Sequence, residues 1–295
     1  MTREFQAQPL LPIRANLGEG AVWDYVRQRL LFLDICGGEV FSYNPADGGY
    51  SEFRLGRHVA DVHPTVSGAL LLAPQEGVGL YRGGEYRSLA APLATTPHLR
   101  TNDGNVDPRG RYFIGTMAYD EKPGVAVLYR LDAGNGVTPV LEDLSISNGI
   151  EWSPDGTVLY FIDSPTKQVR AFDYDLDSGE LGESHIVAQV LFEGGAPDGM
   201  TVDAEGGIWV ACFGGGQVRR YLPDGVLDAV VHTPGAKMVT SCCFGGSELD
   251  TLYITTGQFL MPPNEVGYQP NSGRLFQVKP GVTGKPATLF DDSKM

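Results

Sequence analysis

Short apolar runs separated by turn residues fill this chain, a pattern that predicts many short strands and no long helices. One phrase recurs: an apolar residue, a short polar turn often ending in glycine, then an apolar strand. It reads Val106-Asp-Pro-Arg-Gly110 before Arg-Tyr-Phe-Ile-Gly, and Trp152-Ser-Pro-Asp-Gly156 before Thr-Val-Leu-Tyr-Phe-Ile-Asp. It returns as Val202-Asp-Ala-Glu-Gly206 before Gly-Ile-Trp-Val-Ala, with looser copies starting at Trp23, Val66 and Phe244. A second strand follows each copy, in most of them with a turn such as Asp47-Gly48, Gly83-Gly84 or Asp224-Gly225. These dipeptides tolerate the positive φ of a hairpin turn. The anchors 23, 66, 106, 152, 202 and 244 lie 40 to 50 residues apart, the period of a four-stranded propeller blade. Six copies predict a six-bladed β-propeller, one all-β domain over residues 1–295, with a strand over about 5–13 closing the last blade.

Composition agrees with many turns. Gly 39 and Pro 20 make up 20% of the 295 residues, against a background of roughly 12%. The apolar share of 42% and aromatic share of 10% exclude a disordered chain. The formal net charge is −14, and no run of Lys or Arg occurs. Neither nucleic acid nor an anionic membrane surface is therefore an expected partner. Metal cations and neutral or cationic small ligands suit such a field better. The N-terminus lacks the apolar core of a signal peptide, and no apolar stretch reaches the roughly 18 residues of a membrane span. Cys36, Cys212, Cys242 and Cys243 form neither a disulfide framework nor a zinc motif. A cytoplasmic protein with buried thiols is expected, as a monomer or small homo-oligomer.

Candidate chemistry emerges from the repeat register. Four places before each anchor stand Glu19, Val62, Asn102, Asn148, Asp198 and Thr240. Equivalent positions of innermost strands ring the propeller axis, so two carboxylates and two carboxamides are expected to converge there. Carboxylates held a few ångströms apart repel, and a divalent cation relieves that repulsion. Hard oxygen donors suit Ca²⁺, Mg²⁺ or Mn²⁺. The competing reading makes Asn148-Gly149 and Asp198-Gly199 simple turns, like Asp155-Gly156. No G-x-S-x-G elbow, H-E-x-x-H, P-loop or G-x-G-x-x-G is present. His63 and Arg100 lie near enough to ring positions to approach the channel mouth.

At these residues the chain resembles the regucalcin (senescence marker protein)/gluconolactonase family. The matching stretches are Leu17-Gly-Glu-Gly-Ala-Val-Trp23, Arg100-Thr-Asn-Asp-Gly-Asn-Val-Asp-Pro-Arg-Gly110, Ser147-Asn-Gly-Ile-Glu-Trp152, Pro197-Asp-Gly-Met-Thr-Val-Asp203 and Thr240-Ser-Cys-Cys-Phe-Gly-Gly246. They run in family order over nearly the whole chain. The resemblance implies hydrolysis of a sugar lactone at one divalent metal on the axis, its identity open among Ca, Zn, Mn and Mg. It implies Glu19, Asn148 and Asp198 as metal ligands, and Arg100, Asn102 and Asp103 around the sugar. Asp120 is a looser match to an acidic substrate contact. The segment 117–128 is shorter than in the animal relatives, so the lid over the substrate is expected to differ.

A lactone carbonyl can ligate a cation acting as Lewis acid, so no serine or cysteine nucleophile is needed. Asp198 is the candidate general base and Asp103 the alternative. Two rival expectations stand beside the lactonase: a metal-dependent phosphotriesterase or arylesterase on the same site, and a Ca²⁺-binding propeller scaffold without turnover.

Overall fold

A computed structural model describes residues 2–132, 134, 136–259 and 269–295. Six innermost strands stand around one axis: Gly18–Asp24, Val59–Pro64, Leu99–Val106, Ser147–Trp152, Ala196–Val202 and Met238–Gly245. Each packs against the next, and the last packs against the first. From the first four, the chain steps outward through three further antiparallel strands, giving four-stranded sheets over residues 18–54, 59–90, 99–144 and 147–189.

The expectation of six separate blades is corrected here. The remaining strands form one nine-stranded sheet, so the propeller consists of four separate four-stranded sheets and one large, nearly closing sheet. Phe213, at the end of strand Ile208–Phe213, pairs directly with Met238 of the next inner strand. The turn after it ties the two strands together: Gly216 N–H donates to Lys237 O at 2.9 Å, and Thr233 N–H donates to Gly216 O at 3.0 Å. The N-terminal segment spans the same sheet. Arg3–Gln6 pairs in parallel with Leu227–His232, and Gln8–Pro9 pairs antiparallel with Phe276–Val278.

Apolar layers fill the spaces between successive sheets. Leu33 packs with Val62 and Leu72, and Phe113 meets Trp152 edge-on at 5.4 Å. Trp23 stacks on Tyr253 at 6.0 Å, sealing the last strands against the first sheet. Each such buried side chain contributes about 1.5–3 kcal/mol.

The repeated phrase has a structural reason at its aspartates. Asp24, Asp107 and Asp203 are buried at the ends of inner strands. Each carboxylate accepts backbone N–H groups of the turn after it, from Val26 and Arg27, from Arg109 and Arg111, and from Glu205 and Gly207. Each also holds an arginine: Arg27, Arg111 or Arg220. The polar turn is thus pinned from beneath, and the next strand starts in register.

Candidate functional site

Every one of the six inner strands breaks register with its outer neighbour. The breaks fall between Glu19 and Val22, Val59 and Asp61, Thr101 and Gly104, Asn148 and Ile150, Pro197 and Met200, and Val239 and Cys242. An irregularity of this kind re-aims side chains, and here it does so at one level of the axis. The second copy has Ala60 at its break; Val62 lies beyond it, fully buried in the apolar layer. Asn148-Gly149 and Asp198-Gly199 are therefore not turns but lie inside strands. A Cβ on Gly149 would stand 2.7 Å from Asp198 O, and one on Gly199 would stand 2.9 Å from Thr240 O. Glycine follows the polar residue because adjacent strands approach too closely for a side chain.

Glu19, Arg100, Asn102, Asn148 and Asp198 line one cavity of about 220 Å³ at the entry ends of the inner strands. A chain of hydrogen bonds braces its floor. Arg100 Nη1 donates to Asn102 Oδ1 at 2.6 Å, and Asn102 Nδ2 donates to Asn148 Oδ1 and Ser147 O, both at 2.9 Å. Asn148 Nδ2 donates to Ser164 Oγ at 2.8 Å, which donates to Pro197 O at 2.7 Å. Both amide hydrogens of Asn102 are committed, so it serves chiefly as a strut between Arg100 and Asn148.

The two carboxyls of this floor are under electrostatic stress. Burial, then the charges of Asp198 and Asp103, push Glu19 well above the usual carboxylate range. Burial and the charge of Asp103 do the same to Asp198, against Arg100 and hydrogen bonds from Asn148 and Gly199 N–H. Two carboxylates and a carboxamide oxygen make an all-oxygen donor set, and their mutual repulsion is what a hard cation removes. Among the described residues no group of three His, Cys, Asp or Glu could hold a metal ion. The set Glu19, Asn148 and Asp198 contains only two such residues.

Asp103 faces elsewhere. With Asp61, His63, Glu151 and Lys285 it lines a second cavity of about 60 Å³, farther along the axis, with room for roughly four waters. The C-terminal segment contributes to its wall: Gly284 bridges to Asp203 and Phe290 to Thr65, and Lys285 Nζ donates to Glu151 Oε1 at 2.8 Å. His63 is buried, with Nε2 3.1 Å from Asp61 Oδ2 and Nδ1 without a hydrogen-bond partner among the described residues. Tyr112 Oη donates to the same Asp61 oxygen at 2.6 Å.

Burial and the charge of Asp61 raise the Asp103 carboxyl to about 7. Its ordinary value near 3.9 applies in the unfolded chain. The folded state therefore prefers the protonated acid, and that preference is lost as pH rises from about 4 through about 7. Asp103→Asn should remove this loss. Urea unfolding of metal-free protein should show the variant gaining a few kcal/mol relative to the parent on going from pH 4.5 to pH 8. An equal difference at both pH values would place the Asp103 charge in water.

Asp120 is exposed on the loop after Tyr112–Ala118, its Oδ1 accepting Lys122 N–H at 3.3 Å, and it does not line the larger cavity. Glu121 does, from a backbone with φ of 54°. The Asp-Glu-Lys-Pro-Gly composition marks a turn, but which of two adjacent acids faces inward depends on that left-handed residue. Ser164, Phe213 and Phe259 also line the cavity and carry no motif in the sequence. Among the described residues no helix is long and apolar enough to cross a membrane.

A family model described as SMP-30/Gluconolactonase/LRE-like region matches residues 17–258. Regucalcin of Danio rerio is 38% identical over 278 residues, covering 92% of this chain and 93% of its own. Regucalcin of Homo sapiens is 36% identical over 279 residues, covering 91% and 92%. The crystal structure of a calcium-binding protein, regucalcin, from Agrobacterium tumefaciens superposes with a TM-score of 0.93 at 28% identity, over 98% of this chain and 99% of that one. A gluconolactonase from Xanthomonas campestris shares the fold, with a TM-score of 0.75 at 21% identity over 92% and 88% of the two chains.

Proposed function

The chain belongs to the SMP-30/gluconolactonase/LRE-like family, and from that premise we propose that it hydrolyses a sugar lactone to the aldonic acid at the axial cavity. One observation carries the reading: Glu19, Asn148 and Asp198, from the register breaks of three inner strands, converge beside Arg100 in one cavity. Glu19, Asn148 and Asp198 would hold one divalent cation, Ca²⁺ being the hard-oxygen choice in keeping with the calcium-binding regucalcin it superposes on. When bound, such a cation supplies Lewis acidity at the lactone carbonyl.

The residues of the chain do the rest. Asp198 accepts a proton as a water oxygen bonds to the carbonyl carbon. The ring C–O bond then breaks, and its oxygen takes up that proton. The resulting acid ionises, so each turnover releases one proton. Arg100 directs Nε and Nη2, unpartnered among the described residues, at the substrate oxygens. Glu121 rather than Asp120 supplies the acidic contact. Asn102 keeps Arg100 and Asn148 in place.

Proton release from glucono-δ-lactone tests this. Calcium-loaded protein should open the lactone far faster than buffer, and chelator should abolish the excess. Groups standing behind a metal ligand are worth roughly 10–100-fold in affinity or activity. Glu19→Gln, which alters a ligand itself, should lose at least that much in calcium affinity by titration calorimetry, and activity with it. Calcium binding with no lactone opening would leave a binding scaffold in place of an enzyme.

A further inference from the structure

Tyr119 stands at the rim of the larger cavity, two residues after one lining residue, Met117, and two before another, Glu121. Its main chain carries the pairing of Leu99–Val106 with Tyr112–Ala118 one step further, Tyr119 N–H donating to His98 O at 3.0 Å. Residues two apart along such a strand share a face. Ala118 is buried against Leu93 and Leu99, so Tyr119 returns to the side of Met117.

Tyr119 is 43% exposed, and a ring so placed ordinarily leaves its hydroxyl to water. Here a neighbour holds it. His58 Nδ1 lies 2.8 Å from Tyr119 Oη, and the two ring centres are 5.7 Å apart. The main chain fixes this meeting across two sheets: Gln75 N–H donates to His58 O, and Thr101 N–H donates to Gln75 O, both at 3.1 Å. Thr101 follows Arg100, so His58, Tyr119 and Arg100 are anchored to one stretch of backbone.

Arg100 lies within electrostatic reach of that hydroxyl. Burial pulls its guanidinium below the ordinary value, and among the groups opposing this Tyr119 comes first, ahead of Glu19, Cys36 and Asp198. Among the described residues no hydrogen bond joins Tyr119 to Arg100, which commits Nη1 to Thr101 O and Asn102 Oδ1. Burial, then the charge of Arg100, keep His58 below its ordinary value, so the ring is uncharged at neutral pH. An uncharged imidazole and a phenol share one hydrogen, which leaves the phenol oxygen free to bond once more.

We infer that Tyr119, positioned by His58, binds a hydroxyl of the lactone together with the open edge of Arg100. A hydroxyl suits that place because it both accepts and donates. The inference rests on the lactonase reading. It makes Tyr119 a specificity residue for hydroxylated lactones and His58 a positioning residue.

The experiment compares kcat/KM of calcium-loaded protein for glucono-δ-lactone and for δ-valerolactone, which has no hydroxyls. Tyr119→Phe keeps the ring and removes the phenol oxygen. The ratio of glucono-δ-lactone to δ-valerolactone should then fall by roughly 2–10-fold, mostly through KM. An unchanged ratio, whether both lactones slow alike or neither does, would overturn the inference. His58→Ala should lower the same ratio, and adding it to Tyr119→Phe should cost little more, since its effect passes through the hydroxyl. Fully additive losses would remove the positioning role of His58. A cyclic ether that keeps every hydroxyl of glucono-δ-lactone and lacks its carbonyl separates this contact from the reading beneath it. If no lactone is opened yet Tyr119→Phe weakens the ether by that factor in titration calorimetry, the hydrolytic reading fails and the contact stands. Equal ether affinities in the parent and Tyr119→Phe sink the contact whatever the turnover.

Discussion

Asp198→Ala should lower kcat/KM for a sugar lactone by roughly 10³-fold or more. A positioned general base is worth roughly 10²–10⁴-fold, and this residue is also proposed to hold the cation. Asp198 is only 7% exposed, so its replacement removes a buried carboxyl already disfavoured by burial and by the charge of Asp103. Stability should therefore not fall with activity; the metal-free variant is expected to unfold at the same or higher urea concentration than its parent. Asp198→Asn separates the two roles. It keeps one oxygen for the cation and loses the base, so calcium affinity should fall less than in the alanine variant while turnover stays low. Full activity in either variant, measured by proton release, would pass the base to another residue.

Asp203→Ala should give the largest loss of stability, about 3–5 kcal/mol, or roughly 10 °C in Tm. The Asp203 carboxylate is fully buried and accepts from Arg220 Nε at 2.7 Å, Trp209 Nε1 at 2.8 Å and the backbone N–H groups of Glu205 and Gly207. Removing it strands Arg220, itself 3% exposed, and frees the turn that starts strand Ile208–Phe213. Asp228 and Glu205 keep contacts to Arg220 but sit nearer solvent. Calorimetry on metal-free protein checks the size of the effect. A loss below 1 kcal/mol would mean that those two carboxylates suffice. Arg220→Met alongside Asp203→Leu should recover part of the loss, since a buried pair is often replaceable by apolar packing.

The turn phrases made the propeller legible because a turn and an apolar strand recur where an inner strand leads into its outer neighbour, three of these turns being pinned by a buried aspartate, Asp24, Asp107 or Asp203. The count of separate sheets was not legible in the same way. Six phrases are present, but whether two neighbouring copies stay apart depends on how closely their backbones approach, and here Phe213 pairs with Met238 while Gly216 N–H bonds to Lys237 O. A glycine run reads simply as a turn until its neighbour is known.

The same division runs through the site. A fixed offset from the repeat anchors was enough to bring Glu19, Asn102, Asn148 and Asp198 to one cavity, because repetition in sequence becomes rotation about an axis in space. Register breaks decided what repetition could not. They put Ala60 where the offset suggested Val62, and they turned Asp103 toward the second cavity although its neighbour Asn102 faces the first. A left-handed backbone at Glu121 chose that carboxylate over Asp120. Period and residue type are properties of the chain, so the sequence alone indicated an all-β propeller and the polar residues that stand at a repeated offset. The direction of a side chain at a broken register depends on the strand beside it, and only the tertiary structure supplies that strand.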